Sequence, residues 1–185
     1  ELEFFIAPNG NKEWFEYWVN ERMRWYKDIG IEEQNLRIRE HRPEELAHYA
    51  KKCVDVEYQF PFGWQELEGI ADRQDFDLSQ HAKFSGKNLT YFDEKIAEPF
   101  IPHVIESSAG VDRILLTLLA DAYEEEPERV VLRLSPKIAP IKVGVFPLLK
   151  KPPLVEKALE LEKSLRECFT TFYDEVGAIG RRYRR

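Results

Sequence analysis

Residues 103–119 read HVIESSAGVDRILLTLL: a short apolar run carrying one acid, then two serines and a glycine, then a helix-period segment with Asp112 and Arg113 in its first turn. A helix N-terminus already presents partial positive charge, so a cation placed there gains nothing from the macrodipole. Two readings are open. Arg113 closes over a bound phosphate, with Gly110 letting a ligand approach the backbone, or it pairs with Asp112 or Glu106 while Ser108 only caps the helix. A second acidic set lies in WQELEGI, residues 64–70. Strict alternation sends Glu66 and Glu68 to one face, which suits a solvated edge or a cation such as Mg²⁺ or an ammonium group. In the strand-like run 102–106, Glu106 shares a face with Val104 while His103 and Ile105 point the other way. His41, His48 and Cys53 invite a metal reading, but their spacing matches no established zinc pattern.

The chain that must position these groups has 185 residues, enough for one sizeable domain and part of a second. Hydrophobic residues make up 43% and aromatics 13%, the composition of a folded globular protein. No run approaches the roughly 18 apolar residues of a membrane span. A net charge of −7 gives no global pull toward nucleic acid. The terminal RRYRR is as readily a solvated helix end as a phosphate contact. Cys53 and Cys168 lie far apart, which reads as two thiols in a reducing compartment and no disulfide. The chain opens in strand-like ELEFFI and stops on a charged helical pattern without a cap, so both ends are expected to be cut from something longer.

Turn and period signals predict a strand over residues 1–6, a turn at PNGN, and a helix over 12–28 closed by Gly30, with Trp14, Tyr17, Trp18, Met23 and Trp25 in its core face. A strand at 36–39 precedes a helix over 43–53. Residues 54–73 read as an antiparallel hairpin turning at Pro61-Phe62-Gly63. A polar stretch, 75–93, leads to the strand 102–106 and to the helix after Gly110. Val111, Leu115, Leu118 and Leu119 are that helix's expected buried stripe, leaving Arg113 and Thr117 on a different face, free to look toward the sheet. A further strand is expected at 130–134. The texture changes at 135–140, and 141–146 reads as a strand buried on both faces, followed by an amphipathic helix over 154–168. The fold class is therefore α+β, an antiparallel sheet with flanking helices over 1–137 followed by a β-α unit from 138 to 185.

Three blocks in order carry a resemblance: ELEGIADRQDFDLSQH at 66–81, HVIESSAGVDRILLTLL at 103–119 and RVVLRLSPKIAPIKVGVFPLLK at 129–150. Together, and with AHYAKKCVDVEYQFPFG at 47–63, they resemble homodimeric class II glycyl-tRNA synthetase along nearly the whole chain. The resemblance implies that 1–137 is the C-terminal part of the class II catalytic domain and that 138–185 begins the anticodon-binding α/β domain. In that family GVDR belongs to motif 3, so Arg113 would contact the ATP phosphates, with Gly110, Val111 and Asp112 around the nucleotide. Glu66 and Leu67 match the strand that holds ATP and its magnesium, Glu66 reaching the metal through the nucleotide. The glycine loop is usually Glu-Pro-Ser-Ala-Gly and matches Glu106, Ser107, Ser108, Ala109 and Gly110, with Ser107 in place of the proline. Residues 1–6 look like the second strand of motif 2, where Glu1 would face the amino group of glycine. The other ATP clamps of motif 2, and all of motif 1, would lie upstream of residue 1.

The resemblance further implies ATP and Mg²⁺, glycine and tRNA(Gly), a homodimer, a cytoplasmic location and no membrane. In the implied reaction the glycine carboxylate attacks the α-phosphorus of ATP and the glycyl group then passes to tRNA. Positioning and charge neutralisation suffice, so no dedicated nucleophile is required. A non-catalytic synthetase-like protein, such as a DNA polymerase accessory subunit, is the alternative. It would be expected to have lost the site acids and the motif 3 arginine, whereas Glu66, Glu106, Ser108 and Arg113 are all present. A class II enzyme for another amino acid explains the 66–81 and 129–150 blocks poorly.

Overall fold

In the computed structural model, which describes residues 1–95 and 97–184, the chain forms two compact units, Glu1–Arg133 and Leu134–Arg185. The first is built on an antiparallel sheet. Its elements are β1 (Leu2–Ile6), α1 (Asn11–Asp28), β2 (Leu36–Glu40), β3 (Lys52–Phe60), β4 (Gly63–Gln74), α2 (Phe76–Ser85), the small hairpin β5 (Tyr91–Asp93) and β6 (Glu98–Phe100), β7 (His103–Ala109), α3 (Val111–Ala122), and the hairpin β8 (Tyr123–Glu126) and β9 (Arg129–Leu132). Five strands make the main sheet in the order β1-β7-β4-β3-β2. β3 and β4 are the expected hairpin, and β7, whose tail carries the serines, is flanked by β1 and β4.

β4 is irregular at two places. Glu57 pairs with Glu66 and Val56 with Glu68, so Leu67 is an extra residue on the bulged strand. The second slip falls between Asp72 and Gln74, which leaves Arg73 out of the ladder with β7. Gln74 there has a left-handed backbone, φ 50°. A bulge breaks alternation locally. Glu66 is accordingly exposed while Glu68 is fully buried, and the expectation that both acids share one face does not hold.

The core lies under the sheet against α1, where Phe15 and Tyr26 are buried together with Val56, Leu67, Ile70 and Ile105. Trp14, Tyr17 and Trp25, expected inside, are 37%, 46% and 37% exposed; only Trp18 and Met23 of that set pack against the core. These rings meet others at steep angles instead, Trp14 against Phe4 and edge-on to Tyr17, at centroid separations of 4.8 and 5.4 Å.

α3 turns a different stripe inward from the one its leucines suggest. Ile114 and Leu118 pack on the core and Thr117 is fully buried, whereas Val111, Leu115 and Leu119 are exposed. The inward row 114, 117, 118 and 121 keeps helical spacing but includes two polar residues whose bonds are satisfied. Thr117 donates to the Arg113 carbonyl at 2.9 Å. Asp121 accepts from Tyr58 (3.0 Å), Asn35 (2.7 Å) and the Glu32 amide (2.9 Å). The helix expected over 43–53 is only a single 3₁₀ turn, Pro43–Glu45, before β3 begins. The polar stretch 75–93, in contrast, contains α2, a helix with no buried residue that ends on Gly86 at φ +68°.

The second unit holds β10 (Val143–Val145), α4 (Pro152–Leu165), β11 (Thr171–Tyr173) and the short α5 (Ile179–Arg182), with β10 and β11 parallel. Ile141, expected in a strand buried on both faces, precedes β10 and is half exposed. Arg182 is neither a solvated helix end nor free for a phosphate. It is buried and donates to the carbonyls of Pro147, Glu175 and Gly177. Arg185 of the same basic run lies outside the described residues.

Candidate functional site

On the sheet face opposite α1, two neighbouring depressions gather nearly every residue singled out from the sequence. The first is lined by Glu66, Leu67, Ser108, Ala109, Gly110, Val111, Asp112 and Arg113. Gly110, not Ser108, is the residue before the α3 helix, and no side chain caps it. Its φ of −84° is ordinary, so glycine supplies room here and not an unusual backbone. Arg113 reaches from the first turn of α3 to the Glu66 carbonyl, Nη1 to O 2.6 Å, rather than to Asp112 or Glu106. That bond joins the head of α3 to the β4 bulge. It leaves the remaining N–H groups of an exposed guanidinium beside the depression.

Gly69, opposite Ser108 in the ladder, leaves the floor between the depressions bare. A Cβ there would lie 3.9 Å from Glu66 Oε1, so the Glu66 carboxylate lies over this glycine.

The second depression, about 460 Å³, is lined by Glu1, Glu3, Phe5, Arg73, Asp77, Leu78, His81, Val104 and Glu106. Four carboxylates meet one guanidinium there. Arg73 binds Asp77 in bidentate fashion (2.7 and 2.9 Å), donates to Glu106 and stacks over the Tyr49 ring at 4.0 Å. These acids hold Arg73 firmly charged, Asp77 first, and Arg73 in turn holds the Asp77 carboxyl below its usual range. Glu3 is the exception. Partial burial, then Glu106 across the ladder, raise its carboxyl.

Arg73, Glu3 and Asp77 were not singled out by the sequence. The available signal was ADRQDFD in the 66–81 block, with charges spaced so that the end of β4 and the first turn of α2 face each other. Ser107, by contrast, belongs to neither depression. Strand alternation turns it to the other side of β7, where it is buried and donates to Glu68.

Among the described residues, His41, Cys53 and Asp55 bring ligand atoms within 4.8 Å of one another. His48 is not among them; it packs on Tyr49 and Phe76. Asp55 already faces Arg39 at 3.2 Å, and burial pushes the Cys53 thiol up to about 11, which opposes the thiolate a metal requires. No described helix is long and apolar enough to cross a membrane.

No family model matches the chain. It is 50% identical over 197 aligned residues to a glycine--tRNA ligase of Thermobifida fusca strain YX. It is 52% identical over 189 residues to that of Caldanaerobacter subterraneus subsp. tengcongensis, and 52% over 190 to that of Alkaliphilus oremlandii. Each match takes in the whole of this chain and 43%, 41% and 41% of the respective relative. The chain is thus kin to aminoacyl-tRNA synthetases. Along its full length it is a relative of the glycine--tRNA ligases, spanning about two fifths of their sequence.

Proposed function

We propose that the chain supplies the glycine subsite and the phosphate side of the ATP subsite of a glycine--tRNA ligase. The observation that carries this reading is the acid excess of the second depression. Glu3 and Glu106 face each other across two strands, with Glu1 and Asp77 on the same walls. Like charges directly opposite destabilise a sheet, and an ammonium group placed among them removes that penalty. Glu1 and Glu106 are the ammonium contacts in this reading, and Ser108, with Ala109 and Gly110, leads toward the neighbouring depression. Arg73 fixes Glu106 from one side, which spares the ligand that task. Selecting glycine needs walls that leave no space for a side chain, and overpacking is an effective rejector.

In the first depression Arg113 meets the ATP phosphates, with Glu66, Leu67, Gly110, Val111 and Asp112 around the nucleotide. Magnesium is a fitting companion because Glu66 offers an exposed carboxylate at the rim. Bound to the phosphates, it would neutralise their charge. The glycine carboxylate attacks the α-phosphorus and pyrophosphate leaves, giving glycyl-adenylate; the terminal ribose hydroxyl of tRNA(Gly) then attacks the glycyl carbonyl and AMP leaves. This chain's residues orient both partners and balance charge; none forms a covalent bond. The same reading gives a class II catalytic domain in the first unit, the start of an anticodon-binding domain over 138–185, a homodimer and a cytoplasmic location.

The test is glycine-dependent ATP–pyrophosphate exchange by the full-length protein beside its Arg113→Ala variant. Loss of one charge-assisted phosphate contact is expected to slow exchange by about 100-fold. Exchange driven by a different amino acid, or unaffected by the substitution, defeats the reading.

A further inference from the structure

We infer that Glu68, buried behind the sheet, is a positioning residue for the substrate face: through Ser107 it fixes the turn of β7 that presents Glu106 and Ser108 on the other side. The inference rests on the glycine subsite proposed above.

Glu68 has no solvent exposure, yet both of its oxygens are occupied. Oε1 accepts from Arg22 Nε at 2.7 Å and from Ser107, and Oε2 accepts from the Tyr26 hydroxyl at 2.7 Å. Three elements, α1, β4 and β7, thus meet at one carboxylate. Burial and the Glu68 charge together push the Tyr26 phenol well above its ordinary range, so Tyr26 remains a donor. An apolar side chain would pack this position at no desolvation penalty, and buried ion pairs are poor sources of net stability. What the carboxylate adds is direction.

Its contact on β7 is the single residue between Glu106 and Ser108. Alternation puts Ser107 on the core side and its two neighbours on the substrate side. Ser107 pairs with Leu2 of β1 and Ile70 of β4, so its backbone is held laterally by the ladders. The bond to Glu68 holds it in the one remaining sense, rotation about the strand axis. A few degrees of that rotation would swing Glu106 away from Arg73 and Ser108 away from Gly69. The Leu67 bulge completes the arrangement, because without the extra residue Glu66 would share the inward face of Glu68 instead of lining the first depression.

The experiment measures exchange in the full-length protein with glycine and ATP varied separately, for Ser107→Ala, Ser107→Thr and Glu68→Gln. Losing the hydroxyl in Ser107→Ala is expected to raise the glycine concentration for half-saturation about tenfold. Half-saturation by ATP should stay within about twofold, and Ser107→Thr, which keeps the hydroxyl, should restore glycine binding. Glu68→Gln should move glycine in the same direction; if it does not fold, Ser107→Ala decides alone. Unchanged glycine saturation in Ser107→Ala, or an equal rise for glycine and ATP, overturns the inference. Absence of glycine-dependent exchange in the unmodified protein removes the functional reading itself, a different result.

Discussion

Glu3 stands directly opposite Glu106 in the ladder between β1 and β7, two acids held in register with a guanidinium on only one of them. Arg73 is bonded to Glu106, and Glu3 is left with the repulsion. Its carboxyl is raised by burial and by Glu106. A raised acid binds its proton more tightly in the folded state, so folding is penalised above the ordinary carboxylate pKa and relieved below it. Glu3→Gln should therefore stabilise the first unit at pH 7, by about 0.3 kcal/mol given solvent screening. The gain should vanish below about pH 4. Urea unfolding at the two pH values, followed by tryptophan fluorescence, checks this; all four tryptophans, Trp14, Trp18, Trp25 and Trp64, lie in this unit.

Removing the hydroxyl of Tyr26 leaves one oxygen of a fully buried carboxylate without its donor. Tyr26→Phe should cost about 2 kcal/mol, more than an average hydrogen bond, because the acceptor stays behind without water. The urea midpoint should fall with little change in the slope of the transition. A loss near zero would mean that water or Arg22 takes over the oxygen.

Asp121 anchors the far end of α3 through three donors from α1's following loop and β3. Asp121→Ala should lower the stability of the first unit by about 3 kcal/mol. It should also release the Tyr58 phenol, which burial and Asp121 now hold above its ordinary range. Ultraviolet titration of the tyrosines reads the second effect independently of the first.

The two thiols should differ sharply in reactivity. Cys168 is exposed, whereas Cys53 is half-buried with its thiol pushed up to about 11. Since only the thiolate attacks, a disulfide reagent at pH 8 should titrate one thiol rapidly. The second should react roughly 100-fold more slowly than an unshifted thiol, speeding up as pH rises toward 11 or on unfolding. Equal rates in the folded protein would contradict the burial of Cys53.

What the sequence told correctly was carried by local signals. The turn at residues 61–63 gave the hairpin, Gly30 closed α1, and the chain of Glu106, Gly110 and Arg113 marked a strand feeding a helix head. It misled wherever a side chain's partner is distant. Alternation counted along WQELEGI cannot see that Leu67 is doubled against one residue of β3, so it put Glu66 and Glu68 on one face when Glu68 alone lies in the core. The leucines of α3 outweighed Thr117 and Asp121 in any periodicity count, because the hydrogen bonds that make those two suitable for the inward row come from Arg113's own carbonyl and from residues some 60 to 90 positions away. α2 buries nothing, so no apolar period announces it; Arg73 and Asp77 meet only because that helix follows the bulge. The arginines of the C-terminal run look alike in sequence, yet one of them caps three carbonyls from within.

The two irregularities in β4 bracket residues 68–72, and each shifts the strand's phase by one. Length, more than composition, is then what this segment must keep. Exchanging Ile70 or Ala71 for another residue of similar size leaves every group where it was. Losing or gaining a single residue between the two slips would trade inside for outside on one side of the change, sending Glu68 into water or Arg73 toward α1. Related chains should thus tolerate substitutions of similar size at Ile70 and Ala71 and no solitary insertion or deletion between the two slips. Where one does occur, a second of opposite sign should be found within the same stretch.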